Sequence, residues 1–192
     1  RLVRLGKPDN RFDNWGARIS EVITGWLGQK KVLKDRVAGG IHVMMFWGFL
    51  MLSTDMFDLA TGNWFSHNLL PEVLNGPWNI MVEFGYFIAF IGCTLALIRR
   101  TIFTPDKLKG KSQIEGNAIL MLIMTITTTA FVVEAGESGV SKTWEPIGYW
   151  VAQTIIPSTT MVVVAYWAHM LAIATFLFLI PVSKHMHLVM AF

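Results

Sequence analysis

Four apolar runs, at about 39–60, 78–98, 117–133 and 158–180, constrain this chain more than any motif it carries. Each is long enough to cross a hydrocarbon core, which takes roughly 20 apolar residues at 1.5 Å rise per residue. The runs are apolar on all faces, unlike a surface helix of a soluble protein. None alternates with period two, so a β-barrel is not indicated. Composition agrees: 53% of residues are hydrophobic, 15% are charged and the mean hydropathy is +0.48, far from soluble-domain averages. The expected fold is all-α, a transmembrane helical bundle with four spans.

Charge placement predicts the orientation. Of the 16 Lys and Arg, nine precede the first run, five lie between the second and third, and Lys184 follows the fourth; only Lys142 lies on the other side. The positive-inside rule then places both termini and the loop "RRTIFTPDKLKGK" in the cytoplasm, in a multi-pass protein of the inner (cytoplasmic) membrane. The net charge of +3 follows from this topology. No aromatic-basic interleaving marks a nucleic-acid surface, and no nucleic-acid partner is expected.

Residues 1–37 form a separate cytoplasmic segment. In "WGARISEVITGWLGQKKVLKDR", Trp15, Ile19, Val22, Ile23, Trp26 and Leu27 recur near helical spacing among cations. That pattern fits an amphipathic helix on the inner leaflet, in contact with membrane lipid, or a linker helix packed on a partner. Residues 38–192 form the bundle. The loops "TGNWFSHNLLPEVLNGPW" and "GESGVSKTWEPIGYW" carry interfacial tryptophans, and Pro157 separates the short "IGYWVAQTII" from the last span. The lone cysteine, Cys93, is read as core packing. The chain starts without Met and stops without a polar tail, as expected of a piece of a longer protein.

Histidines inside a bilayer are expensive and are functional candidates by default. His42, on the first span, and His187, after the fourth, both approach the inner face. A facing pair of neutral imidazoles on two helices can hold a haem iron, or the same groups can simply hydrogen-bond in the bundle. Zinc would want four ligands, and no carboxylate or cysteine joins the cluster. His169 and His187 are 18 residues apart, about five turns or 27 Å, and so share a helix face. His185 is turned about 200° from His187 and faces away. One face at two depths is the arrangement that two stacked haems need.

The run "HMLAIATFLFLIPVSKHMH" resembles the last transmembrane helix of the nitrate reductase gamma subunit family. Together with "GGIHVMMFWGF" it is similar, more closely, to the membrane cytochrome b domain of the haem b and iron-sulfur fusion proteins related to heterodisulfide reductase, which include membrane ETF:menaquinone oxidoreductases. The resemblance implies a five-helix cytochrome b whose first helix precedes Arg1, and a cytoplasmic iron-sulfur domain or subunit after Phe192. It implies His42 and His187 as ligands of the inner haem b and His169 as a ligand of a second, outer one. In the nitrate reductase family another histidine follows the first by ten residues; here that position is Leu52. His67, in the loop "NWFSHN", is the remaining candidate to face His169, with a solvated loop histidine as its plainer reading. The methionines nearby, Met44, Met45 and Met51, are read as core filler.

Haem implies one-electron traffic, and the membrane implies a lipid-soluble partner such as menaquinone. Quinol oxidation releases two electrons and two protons, so a carboxyl beside an apolar slot is needed. Glu134 and Glu83 are the candidate proton relays, with a helix-end carboxylate and an interhelical contact as their plainer readings. Asp55 and Asp58 are read as interfacial. Arg99, Arg100 and Lys184 are placed to neutralise haem propionates. The expected function is electron transfer between a membrane quinone and a cytoplasmic iron-sulfur domain, with electron-transfer flavoprotein as a possible soluble partner. The alternative is a non-redox anchor or transporter domain whose histidines line a polar pathway. A transporter predicts polar residues meeting at the midplane, whereas these histidines lie toward the two faces.

Overall fold

The computed structural model describes residues 13–61, 72–103, 111–136 and 140–182. His67, Lys184, His185 and His187 lie outside the described residues. The chain divides into two compact units, Arg1–Val43 and Met44–Phe192. Among the described residues there is no strand. The elements in order are α1 (Trp15–Glu21), α2 (Arg36–Ala60), α3 (Glu72–Thr101), α4 (Lys111–Ala135), α5 (Pro146–Ile155) and α6 (Thr159–Leu179). Four of these, α2, α3, α4 and α6, contain stretches of 23, 29, 23 and 21 residues long and apolar enough to cross a membrane. The expected all-α membrane bundle is therefore observed.

In the first unit, α1 continues into a π-helical turn over Val22–Leu27. Trp15, Ile19, Val22 and Ile23 all stand exposed, and Arg18 pairs with Asp13 at 3.2 Å. Asp35 Oδ1 accepts from the Ala38 N–H at 3.1 Å, which satisfies one of the orphan donors at the start of α2.

In the second unit, α4 packs against α3, α5 and α6. The core joins Leu52, Tyr86, Ala89, Ile126, Phe131 and Phe176 from α2, α3, α4 and α6. A seam of small residues brings α2 and α3 close. A Cβ on Gly48 would stand 2.7 Å from the backbone nitrogen of Ala89, and one on Gly85 would stand 2.6 Å from Met51 Cβ. Such a seam lets two helix backbones approach where lipid gives no hydrophobic drive for association. Cys93 is fully buried beside it, as expected of a packing residue.

Burial is inverted relative to a soluble protein. Phe84, Trp167, Leu171 and Phe178 are exposed, while Asp58, Glu83, Thr127 and His169 are buried. Lipid-facing apolar side chains around a satisfied polar interior produce this distribution.

The break expected at Pro157 is present. Ile156 takes the left-handed conformation with φ 49° and ends α5. That region is rare for a β-branched residue, and the following proline disfavours the right-handed helical alternative. Ser158 then restarts the chain, its Oγ accepting from the Met161 N–H at 3.3 Å.

Candidate functional site

Two clusters of buried polar groups lie in the second unit. The first surrounds the start of α5. A helix start has N–H groups with no intrahelical acceptor, and here another helix supplies one. Glu83 on α3, only 3% exposed, accepts from the Gly148 N–H at 2.5 Å through Oε1. One turn earlier, Asn79 Nδ2 donates to Glu145 Oε1 at 2.7 Å. Glu145 Oε2 in turn accepts from the Ser141 N–H at 2.8 Å. Glu134 arrives from α4: a Cβ on Gly148 would stand 2.6 Å from its Cδ. Glu83 and Glu134, 51 residues apart in sequence (134 − 83), thus converge on one glycine. Carboxylate oxygens aimed at helix-start N–H groups also complement the helix dipole.

The second cluster lies between α2, α3, α4 and α6. His169, 8% exposed, directs Nδ1 at the carbonyl oxygen of Ile126, 3.0 Å away. A carbonyl only accepts, so Nδ1 carries the proton and Nε2 keeps its lone pair. Thr129 Oγ1, at 3.1 Å from the same nitrogen, donates its own proton to the Thr125 carbonyl at 2.6 Å and so shares the Nδ1 proton. An imidazole held this way is oriented as metal-ligating histidines are. It equally presents Nε2 as a hydrogen-bond acceptor.

His169 lines an apolar cleft together with Leu52, Asp55, Met56, Tyr86 and Phe176, among others. The cleft spans about 500 Å³ counting the space at its mouth and is narrow inside. Tyr86 donates its hydroxyl proton to Asp55 Oδ2 at 2.9 Å. Asp55 and Tyr86 were not expected here. Asp55 is half-buried within the bundle, and Asp58 is 5% exposed, both in the last turns of α2. The sequence signal that could have found the pair is a carboxylate three residues, close to one turn, beyond Leu52 in an otherwise apolar helix.

Leu52 bears on whether the cleft fits a haem held by two histidines. It lines the same cleft as His169, so the position that the resemblance assigns to a second imidazole borders the same space as the first. It holds a hydrocarbon, and among the described residues no second imidazole lines the cleft. Tyr86 is bonded to Asp55, and Met56 is the one thioether on the wall. A haem between two imidazoles is not matched by this donor set. Among the described residues there is also no group of three or more His, Cys, Asp or Glu arranged to hold a metal ion.

The remaining candidates are apart from these clusters. His42 is half-buried on α2, within the first unit. Arg100 directs Nε to Asn117 Oδ1 at 3.0 Å, accepts at its carbonyl from Gln113 Nε2 at 2.9 Å, and packs its guanidinium on Gly116. These bonds tie α3 to α4. Arg99 is half-buried next to it.

Fold and site define a polytopic helical membrane domain with buried, hydrogen-bonded ionisable groups. Two curated relatives match it. One is a probable iron-sulfur-binding oxidoreductase, FadF, of Bacillus subtilis, 26% identical over 205 residues, covering 97% of this chain and 28% of the relative. The other is an EtfAB:quinone oxidoreductase of Syntrophomonas wolfei, 26% identical over 198 residues, covering 89% of this chain and 27% of the relative. The chain therefore spans just over a quarter of the length of these relatives, both oxidoreductases by name. No protein-family description and no solved structure matches the chain.

Proposed function

We propose that this chain is the membrane electron-transfer domain of a quinone-linked oxidoreductase, passing electrons between a membrane quinone, menaquinone by resemblance, and a cytoplasmic iron-sulfur domain or subunit. The observation that carries this reading is the match of nearly the whole chain to one segment of two oxidoreductases, one named for a quinone and the other for iron-sulfur binding. Four helices fit to cross a membrane supply the setting; the charge bias argues for both termini on the cytoplasmic side of the inner membrane, with residues 1–37 on its lipid surface or against a partner. Electron-transfer flavoprotein, named with the second relative, is the proposed soluble partner.

In this reading His42 and His187 hold a haem b near the cytoplasmic face, with Arg99, Arg100 and Lys184 on the same side to meet its propionates. A bound haem supplies one-electron exchange. This reading places no second haem at His169, whose surroundings among the described residues do not match one, and takes Glu83 and Glu134 in their plainer roles at the start of α5. The buried polar groups favour redox work over a substrate path, because α2, α3, α4 and α6 run unbroken through the apolar segments, whereas transporters unwind helices at the midplane.

A reduced-minus-oxidised spectrum of the full chain purified from membranes tests the reading. A b-type α-band, bleached by His42→Ala, is expected. A chain expressed with adequate haem supply that shows no such band overturns it.

A further inference from the structure

The cleft between Asp55 and His169 has the features of a ligand site that a proton cap lacks. Its walls are mainly apolar and aromatic, with a few convergent polar atoms, which is how small-molecule sites are built. Tyr86 fixes the Asp55 carboxylate through Oδ2. Among the described residues Oδ1 accepts no hydrogen bond, so one acceptor remains to be used. The Ile126 carbonyl likewise fixes His169 through Nδ1, which leaves Nε2 as a second acceptor. Both residues line the same apolar slot, and two acceptors on its wall suit a flat ring with two outward donors.

We propose that this cleft binds the ring head group of a hydroquinone, Asp55 accepting one ring hydroxyl and His169 the other, in the place where a second haem would need another imidazole. The assignment rests on the quinone-linked reading above and gives that reading its substrate site. Leu52 is central to it: the same side chain that denies iron a ligand adds hydrocarbon to the slot. Phe49 and Phe176, with ring centroids 5.8 Å apart, both line the cleft and offer aromatic contact to a ring. The space open without movement holds about one water, so the ring enters from the mouth as Met56, an adaptable side chain, yields. The polar atoms also set redox preference. Both are acceptors, so the hydroquinone, which carries two O–H donors, binds more tightly than the quinone, which has none.

The test uses the full chain in lipid nanodiscs, with anaerobic calorimetric titration of menadiol and, separately, menadione. One menadiol is expected per chain, bound at least tenfold more tightly than menadione. Asp55→Asn and His169→Ala are expected to weaken menadiol at least tenfold while haem per chain and the b-type spectrum stay as in the wild type. Tyr86→Phe, which keeps the ring, should weaken it by a smaller factor and shows that the effect is not unfolding. Loss of half the haem in His169→Ala would overturn the proposal, as would wild-type menadiol binding in both Asp55→Asn and His169→Ala. Binding is read without haem, so a chain that lacks haem but loses menadiol on Asp55→Asn would sink the electron-transfer reading and support the site.

Discussion

The polar cluster at α5 and the cleft at His169 are built from the same kinds of residue, yet they differ in what is left over. Around Gly148, Glu83 caps a helix start and both Glu145 oxygens are taken. In the cleft, Asp55 and His169 each spend one polar atom on orientation and keep one. Burial of a charge is therefore a poor guide to chemistry by itself; spare hydrogen-bonding capacity beside open space is the better one.

Substitutions can break that comparison. The largest expected effect contrasts two histidines: His42→Ala should abolish the b-type spectrum, whereas His169→Ala should leave it intact. Equal bleaching by both, measured as haem per chain, would make the two ligands of equivalent centres. Next is Gly48→Val, which forces bulk against the α3 backbone and should destabilise the domain by about 3 kcal/mol, read as lost yield and lowered melting temperature in detergent. Glu83→Ala should cost about 1–3 kcal/mol by orphaning a buried N–H, while Glu83→Gln, which keeps an acceptor oxygen, should cost less. If Glu83→Gln instead leaves stability alone and stops quinol oxidation, the α5 cluster is chemical and the comparison fails. The smallest effect is on the stability of Tyr86→Phe, about 0.5–1.5 kcal/mol for one hydrogen bond, against its clear effect on menadiol titration.

Much of the fold was legible. Apolar length gave α2, α3, α4 and α6, although α3 begins at Glu72, ahead of Trp78, with Pro77 inside the helix at the cost of one intrahelical bond. Pro157 marked the break before α6, and Cys93 behaved as packing. The sites were less legible. Glu83 and Glu134 were singled out as carboxyls, but their meeting at Gly148 was not visible, since it depends on how α5 folds back onto α3 and α4. Asp55 lay in plain view near a span end, but its turn into the bundle was not visible. Its partner Tyr86 carried no periodic or motif signal.

The sequence by itself determined that this is a helical domain with four segments fit to span a membrane, because apolar span length is a property of the linear chain and its solvent. Only the tertiary structure decided which polar groups meet. Helices that are apolar all round carry almost no pattern to fix their rotation, so facing is set by close packing, as at Gly48 and Ala89. That rotation turns Asp55 toward Tyr86 and Leu52 toward His169, and with them it decides whether the cleft suits iron or a ring.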